Sequence, residues 1–211
     1  MDTTSTLVLG TTNAGKLREL AELLMPLGIS CCSLAGLDAA VDVEETGSSF
    51  AENAALKATQ QARALGRWVL AEDSGLVVDA LGGAPGIYSA RFSGAGATDA
   101  RNNALLLERL AALAAAPRSA AYACHAALSD PTGTIVAVSS GTCAGVIADH
   151  STGAGGFGYD PLFVVPEYHR TFGELSPAVK SLISHRARAM RAIIPAIERS
   201  LHPNQPPAGG R

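Results

Sequence analysis

The sequence predicts an α/β protein with a mixed sheet and flanking helices. Short apolar runs that indicate buried strands alternate with amphipathic helical patterns in the first half. The second half adds two apolar runs joined by Asp130–Gly133, which has the composition of a tight turn. The 211 residues suit a single domain. We expect residues 1–203 to form it and residues 204–211, rich in Pro and Gly, to be a disordered tail.

The N-terminal part predicts a βαβ unit followed by a second helix. An apolar strand over residues 6–10 precedes a helix whose leucines recur at i, i+3, i+7 and i+10 from Leu17. A second strand is expected at residues 29–34, which completes the βαβ unit. Ser49–Glu52 then has the S-x-x-E spacing of a capping box, and it opens an Ala-rich helix that ends near Gly66.

After residue 66, predicted strands and helices again follow one another along the chain. Glu72–Gly75 lies between two apolar runs and is predicted as a turn between two strands. Ser176 followed by Pro177 indicates a helix start, because Ser caps well and Pro fits the first helical position. Further strands are predicted at residues 68–71, 76–80, 120–128, 135–139 and 162–165, and further helices at 98–116, from 176 and at 185–201.

Composition excludes several functional classes. The net charge of −3 argues against a broad electrostatic footprint for nucleic acid. No apolar run approaches the roughly 20 residues of a membrane span, and the first ten residues lack the basic region of a secretory signal. The cysteines at positions 31, 32, 124 and 143 form no C-x-x-C pair, so we expect thiols in a cytoplasmic protein.

The first candidate site lies between the first strand and the first helix. Backbone N–H groups at a helix start bind phosphate, and a lysine adds a full charge. The pattern Gly10-x4-Gly15-Lys16 matches most of a P-loop, but Leu17 stands where that motif needs Ser or Thr for magnesium. A phosphate site and an ordinary βα turn therefore stay equally open for Thr11, Thr12, Asn13, Ala14, Gly15 and Lys16.

Two acidic segments are candidate cation or proton-transfer sites. Glu44 and Glu45 precede a helix that brings Lys57 onto a nearby face, although a solvated loop explains such a segment better when it is taken alone. Glu72 and Asp73 lie between apolar runs, where carboxylates are costly without a partner. A divalent metal or a role in proton transfer would account for them.

The last two candidates are a glycine-rich loop and a basic helix start. Glycines let the backbone approach a ligand closely, and the aromatic residues of the loop could stack on a nucleobase while its aspartate accepts a ring N–H. An alternative interpretation is that the loop is a tight turn with two core aromatic residues and that the basic segment is an ordinary helix start. The residues concerned are Phe157, Gly158, Tyr159, Asp160, Lys180, His185 and Arg186.

Five ordered motifs resemble the inosine-triphosphate pyrophosphatase family, and especially its bacterial dITP/XTP pyrophosphatase branch. They are TTNAGK, EETGSSFAENAALKA, AEDSGLVVDALGGAPGIYSARFSG, GGFGYDPLF and KSLISHRARA. The resemblance implies a two-lobed α/β fold around an elongated central cleft, usually in a homodimer. It also implies magnesium-dependent cleavage of dITP, ITP or XTP between the α- and β-phosphates, which removes deaminated purines from the nucleotide pool.

The resemblance assigns roles by position. Residues 11–16 and Lys57 would bind the triphosphate, Glu44 and Asp73 would bind Mg²⁺, and Asp73 would also accept a proton from the attacking water. Ser74 would contact substrate, and the residues from Phe157 to Asp160 would hold the base. Lys180, His185 and Arg186 would close around base and phosphate. Relatives usually have Asp where this chain has Glu72, and many have Trp-Pro where it has Cys143-Ala144, which puts packing and the dimer surface in question.

Other functions share part of this set. A Maf-like nucleotide pyrophosphatase would use the cations and carboxylates but not the GGFGYDP loop. A nucleotide sensor without turnover would need neither Asp73 nor a metal. A P-loop ATPase is disfavoured by Leu17.

Overall fold

A computed structural model describes residues 6–113 and 116–202, so the predicted tail at residues 204–211 lies outside the described residues. The predicted βαβ unit is present as strand β1 (Leu7–Leu9), helix α1 (Ala14–Leu24) and strand β2 (Cys31–Ser33). Strand β1 pairs in parallel with β2. A short 3-10 turn, Met25–Leu27, ends the helix, and Leu27 is exposed rather than part of the core.

Helix α2 (Phe50–Leu65) begins at the predicted cap but forms only half of a capping box. The Ser49 side chain accepts a hydrogen bond from the Glu52 N–H. The Glu52 carboxylate accepts from the backbone N–H and the hydroxyl of Ser48, one residue before the cap. These bonds lower the pKa of Glu52, and they hold the segment before α2 against the start of the helix.

Strand β3 (Val69–Val78) corrects the prediction of two strands and a turn. One ten-residue strand runs through Glu72, Asp73, Ser74 and Gly75. The carboxylates are tolerated inside it because both have cationic partners. Position 75 has no room for a side chain, because a Cβ there would lie 2.3 Å from the hydroxyl of Ser89, and glycine therefore fits.

Helix α3 (Asp99–Ala111) is shorter than the predicted span of residues 98–116. Thr98 caps its start, and Leu106 and Leu110 are buried. Leu113 lies beyond the helix and is exposed. Pro117 disfavours helical backbone in the residue before it, which limits how far a helix can continue.

The remaining elements lie where the sequence predicts them, with two differences: β5 is longer than expected, and the short strand β7 has no counterpart in the prediction. The sequence placed only residues 135–139 in β5, because Gly141 and Gly145 weaken the local strand signal. The Cβ of an added side chain at Gly145 would lie 2.4 Å from the Phe163 ring, so close packing explains that glycine. The elements are β4 (Ser119–Ser129), β5 (Ile135–Ile147), β6 (Phe163–Val165), β7 (Arg170–Thr171), α4 (Pro177–Ile183) and α5 (His185–Leu201).

The strands form one mixed sheet in the order β2-β1-β3-β4-β5-β6-β7, which confirms the predicted α/β class. Strand β1 is parallel to β2 and β3, whereas β6 is antiparallel to β5 and β7. Two compact units divide the chain, and strands β3, β4 and β5 contribute residues to both. Of the described residues, the first unit comprises 6–73, 125–141 and 186–202, and the second comprises 74–113, 116–124 and 142–185.

Each unit has its own apolar core. In the first, alanines of α2 pack with Val8, Val69 and Ala127 of the sheet. In the second, Leu106 and Leu110 of α3 pack with strand residues and with the rings of Phe163 and Phe172. Across residues 6–113 and 116–202, no helix is both long and apolar enough to cross a membrane. All four cysteines are thiols, as predicted.

Candidate active site

A buried carboxylate centre in the first unit surrounds Asp73. Asp73 is 5% exposed, and its Oδ1 lies 2.9 Å from the Lys57 ammonium. The Asn53 amide donates to Asp73 Oδ2 at 3.3 Å. Lys57 also lies 2.8 Å from Glu45 Oε1, so one ammonium joins two carboxylates. Helix α2 supplies both Asn53 and Lys57, because residues four apart share a helix face.

The charges of this centre perturb one another. Burial raises the pKa of Asp73, the ammonium groups of Lys57 and Lys16 lower it, and the net effect is a pKa above the ordinary range. Burial lowers the pKa of Lys57, but the carboxylates of Asp73 and Glu45 outweigh this and raise it. A carboxylate with a raised pKa beside a permanently charged lysine is suited to accept a proton from water.

Glu72 has different ion-pair partners from its neighbour Asp73. It is fully buried, 3.3 Å from the Lys16 ammonium and 3.1 Å from Nε of Arg186. Arg186 is 2% exposed and also donates to Glu19. Arg186, for which the resemblance predicts a contact with substrate, is therefore held between two carboxylates. Glu19 lies 167 positions away in the chain and had no sequence signal.

Residues 11–16 form the predicted turn at the start of α1. Asn13 caps the helix by accepting a hydrogen bond from the Lys16 N–H at 3.0 Å, and the Thr11 hydroxyl accepts from the Asn13 N–H at 3.2 Å. Thr12, Asn13 and Ala14 are exposed, whereas Thr11, Gly15 and Lys16 are half-buried. The Lys16 side chain thus lies beside Glu72 while the start of the helix faces solvent.

The acidic segment before α2 is fixed to the Asp73 centre. Glu44 is exposed and Glu45 is half-buried beside Lys57. The Gly47 N–H donates to the Asn53 amide oxygen at 2.8 Å, and an added Cβ at Gly47 would lie 2.6 Å from that oxygen. Among the described residues, no group of three or more His, Cys, Asp or Glu side chains forms a ready-made metal site.

In the second unit, Asp160 organises the glycine-rich loop. Its Oδ2 accepts from the Phe157 N–H at 2.9 Å and from the Lys180 ammonium at 2.5 Å. Its Oδ1 accepts from the Tyr122 hydroxyl at 3.4 Å. Gly156 has φ +75°, and a Cβ there would lie 1.9 Å from Asp160 Oδ2. The loop therefore closes tightly over a buried carboxylate.

The aromatic residues of the loop region differ in accessibility. Tyr159 is buried, donates its hydroxyl to the Ser89 carbonyl at 2.9 Å, and has its pKa raised by burial. Phe157 is half-buried, with the Lys180 ammonium 4.9 Å from its ring centre. His185 is buried and stacks on Tyr122 at 4.6 Å. Phe157 is thus the aromatic side chain of this loop that a base could reach.

The predicted residues fall into two groups, one in each unit. Residues 11–16, Glu44, Lys57, Asp73 and Arg186 belong to the first unit, whereas Ser74, the residues from Phe157 to Asp160, Lys180 and His185 belong to the second. Ser74 follows Asp73 in β3 and is half-buried. Asn53 lies within the EETGSSFAENAALKA motif, but the sequence predicts no role for it, and its contact with Asp73 is a structural finding.

Comparison with known proteins gives consistent results. The model of the Ham1 family matches residues 7–196. A dITP/XTP pyrophosphatase of Rhodopirellula baltica is 52% identical over 198 residues, which cover 94% of this chain and 95% of that protein. A dITP/XTP pyrophosphatase of Geobacillus kaustophilus is 50% identical over 184 residues, which cover 87% of this chain and 90% of that protein.

Solved structures with a related sequence share the fold. A HAM1 protein from Coxiella burnetii matches with a TM-score of 0.81 and 41% identity, covering 89% of this chain and 95% of that one. A nucleoside-triphosphatase (dITP/XTP pyrophosphatase) from Mycobacterium abscessus matches with a TM-score of 0.71 and 41% identity. The match covers 91% of this chain and 99% of that one.

Proposed function

The chain belongs to the Ham1 family, and we propose that it hydrolyses non-standard purine nucleoside triphosphates to the monophosphate and pyrophosphate. The substrates are dITP, ITP and XTP, so the reaction clears deaminated purines from the nucleotide pool. The observation that carries this proposal is the buried Asp73 carboxylate, held by Lys57 and Asn53 and accompanied by Glu45.

Asp73 is the proton acceptor for the attacking water. Its raised pKa brings the carboxylate nearer to the operating pH, which favours general-base catalysis. Such a base contributes about 10²–10⁴-fold in rate. Phosphoryl transfer otherwise depends on positioning and on neutralising charge. Lys16, Lys57 and the exposed start of α1 offset the charge of the triphosphate.

Mg²⁺ is the proposed cofactor, with Glu44 and Asp73 as its protein ligands. Magnesium usually takes one or two carboxylates and completes its shell with water and substrate phosphates. The donor set fits, because Lys57–Glu45 and Asn53–Gly47 contacts both fix the segment that carries Glu44 to the Asp73 centre. When bound, Mg²⁺ would neutralise phosphate charge.

Base selection is assigned to the glycine-rich loop and its neighbours. Phe157 offers a ring for stacking, while Gly158, Tyr159 and Asp160 set the loop backbone. In the same unit, the Lys180 ammonium lies over the Phe157 ring and His185 stacks on Tyr122. A donor such as the Lys180 ammonium suits the 6-oxo group of hypoxanthine and xanthine and opposes the 6-amino group of adenine. A site built on such pairing can discriminate by about 10⁴–10⁵-fold.

The decisive experiment measures pyrophosphate release from dITP, XTP, dGTP and dATP, each with Mg²⁺ and with EDTA, and identifies the nucleoside product. We expect metal-dependent formation of monophosphate and pyrophosphate. The kcat/KM values for dITP and XTP should be much higher than those for dGTP and dATP. Similar kcat/KM values for dITP and dATP would contradict the base selection. Release of orthophosphate would contradict the bond cleaved, and binding without turnover would favour a sensor.

A homodimer in the cytoplasm is also proposed, as the family resemblance implies. The thiol state of all four cysteines is consistent with a reducing compartment. Light scattering on the purified protein measures the mass directly. A mass near 43 kDa, twice the chain mass of 21.5 kDa, is expected, and a mass near that of one chain would contradict the dimer.

A further inference from the structure

Asn53 connects two parts of the carboxylate centre through one buried side chain. It lies in the first turn of α2 and is fully buried. Its amide oxygen accepts from the Gly47 N–H at 2.8 Å, and its amide nitrogen donates to Asp73 Oδ2 at 3.3 Å. Both ends of the amide are therefore used by named partners in the same unit.

These bonds fix the orientation of the amide. The Gly47 N–H is a donor, so it requires the amide oxygen on its side, and the NH₂ group then faces the carboxylate. Gly47 is suited to this contact because an added Cβ would lie 2.6 Å from the amide oxygen. The arrangement is therefore specific to this pair of residues.

Asp73 is in turn held at both oxygens. Lys57 contacts Oδ1 at 2.9 Å and Asn53 contacts Oδ2. Two contacts on opposite oxygens fix the plane of a carboxylate, whereas one contact leaves rotation about its terminal bond. Lys57 is shared with Glu45, whereas Asn53 is an uncharged partner of Asp73.

We propose that Asn53 is a positioning residue for hydrolysis, which orients the Asp73 carboxylate and couples it to the turn that follows Glu44 and Glu45. This inference rests on the proposed function, in which Asp73 receives the proton of the attacking water. A misplaced catalytic group costs up to about 10²-fold in rate. The loss falls on kcat rather than KM, because Asn53 acts through Asp73 and binds no part of the substrate.

Gln61 provides a matched control on the same helix. It is 3% exposed, and its amide also holds the segment before α2, accepting from the Val41 N–H at 3.1 Å and donating to the Val41 carbonyl at 2.6 Å. Both amides therefore anchor one segment to α2, but the bonds of Gln61 go to Val41. Replacement of Gln61 tests anchoring without the contact to Asp73.

The experiment compares wild type, N53A, N53D and Q61A with dITP, measuring kcat, KM and Tm on the same samples. N53D keeps an acceptor for Gly47 but replaces the donor that faces Asp73 with an acceptor. We expect N53A to lower kcat by about 10–100-fold with KM within about 3-fold. N53D should lower kcat at least as far, and Q61A should keep kcat within about 3-fold while its Tm falls.

Each other outcome counts against the proposal. If N53A or N53D keeps wild-type kcat, Asn53 does not position Asp73. If Q61A loses kcat as far as N53A, anchoring of the segment alone explains the effect. If N53A does not fold, N53D decides, because it retains the Gly47 bond and the side-chain volume. If wild type releases no pyrophosphate from dITP, the proposed function itself is overturned. That result is distinguishable from a failure of the Asn53 proposal, in which wild type is active and the Asn53 variants are equally active.

Discussion

Glu72 and Asp73 are consecutive residues of β3, yet their carboxylates have different ion-pair partners. Successive side chains of a strand point to opposite faces. Glu72 is paired with Lys16 and Arg186, whereas Asp73 is paired with Lys57 and bonded to Asn53. Adjacent carboxylates of one strand therefore enter different ion pairs, although the Lys16 ammonium beside Glu72 also lowers the pKa of Asp73.

Asp73→Asn should reduce turnover of dITP to less than about a tenth of wild type, because the proposed general base is lost. The fold should be intact. The pKa of Asp73 is higher in the folded than in the unfolded chain, so its contribution to stability is present at low pH and lost as pH rises through the folded pKa. Desolvation of the ionised carboxylate and its pairing with Lys57 oppose one another, and Lys57 keeps Glu45 as a partner in the variant, so Tm should stay close to that of wild type.

The pH profile of kcat/KM, which reports on the free enzyme, should show an acidic limb above the ordinary Asp pKa of about 3.9, because the proposed mechanism requires ionised Asp73 and burial raises its pKa. Activity is lost as pH falls through that value. Lys57 lowers the pKa of Asp73, so Lys57→Gln should move the limb to higher pH. A limb that stays at the same pH in Lys57→Gln would contradict this coupling.

Glu44→Gln and Glu45→Gln should have separable effects. Glu44 is exposed and is the proposed Mg²⁺ ligand, so its replacement should raise the Mg²⁺ concentration for half-maximal activity by about 10-fold or more. Glu45 contacts Lys57, so its replacement should lower kcat/KM while the Mg²⁺ requirement changes little. Magnesium titrations of dITP hydrolysis measure both. The reverse pattern would assign the metal to Glu45.

Glu72→Gln should destabilise the protein by about 3–5 kcal/mol, because it leaves the buried charge of Arg186 with only part of its compensation. The free energy of unfolding in urea measures the loss. Asp149→Asn is the control, since Asp149 is largely exposed beside Arg118 and should change stability little. Equal effects of the two substitutions would show that the Glu72 pair is not structurally important.

Gly156→Ala should impair the glycine-rich loop more than Gly158→Ala. Both glycines have positive φ, so both substitutions strain the backbone by about 1–2 kcal/mol. Only at Gly156 would the new Cβ collide with Asp160 Oδ2, because nothing lies within 4 Å of a Cβ at Gly158. The ratio of kcat/KM for dITP and dATP should fall further in Gly156→Ala. Equal ratios would contradict a role of the Asp160 contact in selection.

Local chemistry made much of the fold predictable. The leucine spacing of α1, the Ser49 and Ser176 caps, and the turn at Asp130–Gly133 are determined by neighbours in sequence, and each lies where the sequence placed it. Strand β3 was divided wrongly because Glu72 and Asp73 suggest a turn when their partners are unknown. Cations from distant parts of the chain allow the strand to continue.

The sequence by itself determined the α/β class and the helix starts, because these depend on periodicity and capping, and its motif order indicated the residues proposed to carry chemistry. Only the tertiary structure decided how those residues are partnered. It directed Arg186 to Glu72 and Glu19, Lys57 to Glu45 and Asp73, and Asn53 to Asp73. Burial then set the pKa of Asp73, since desolvation depends on packing between segments that no local pattern relates.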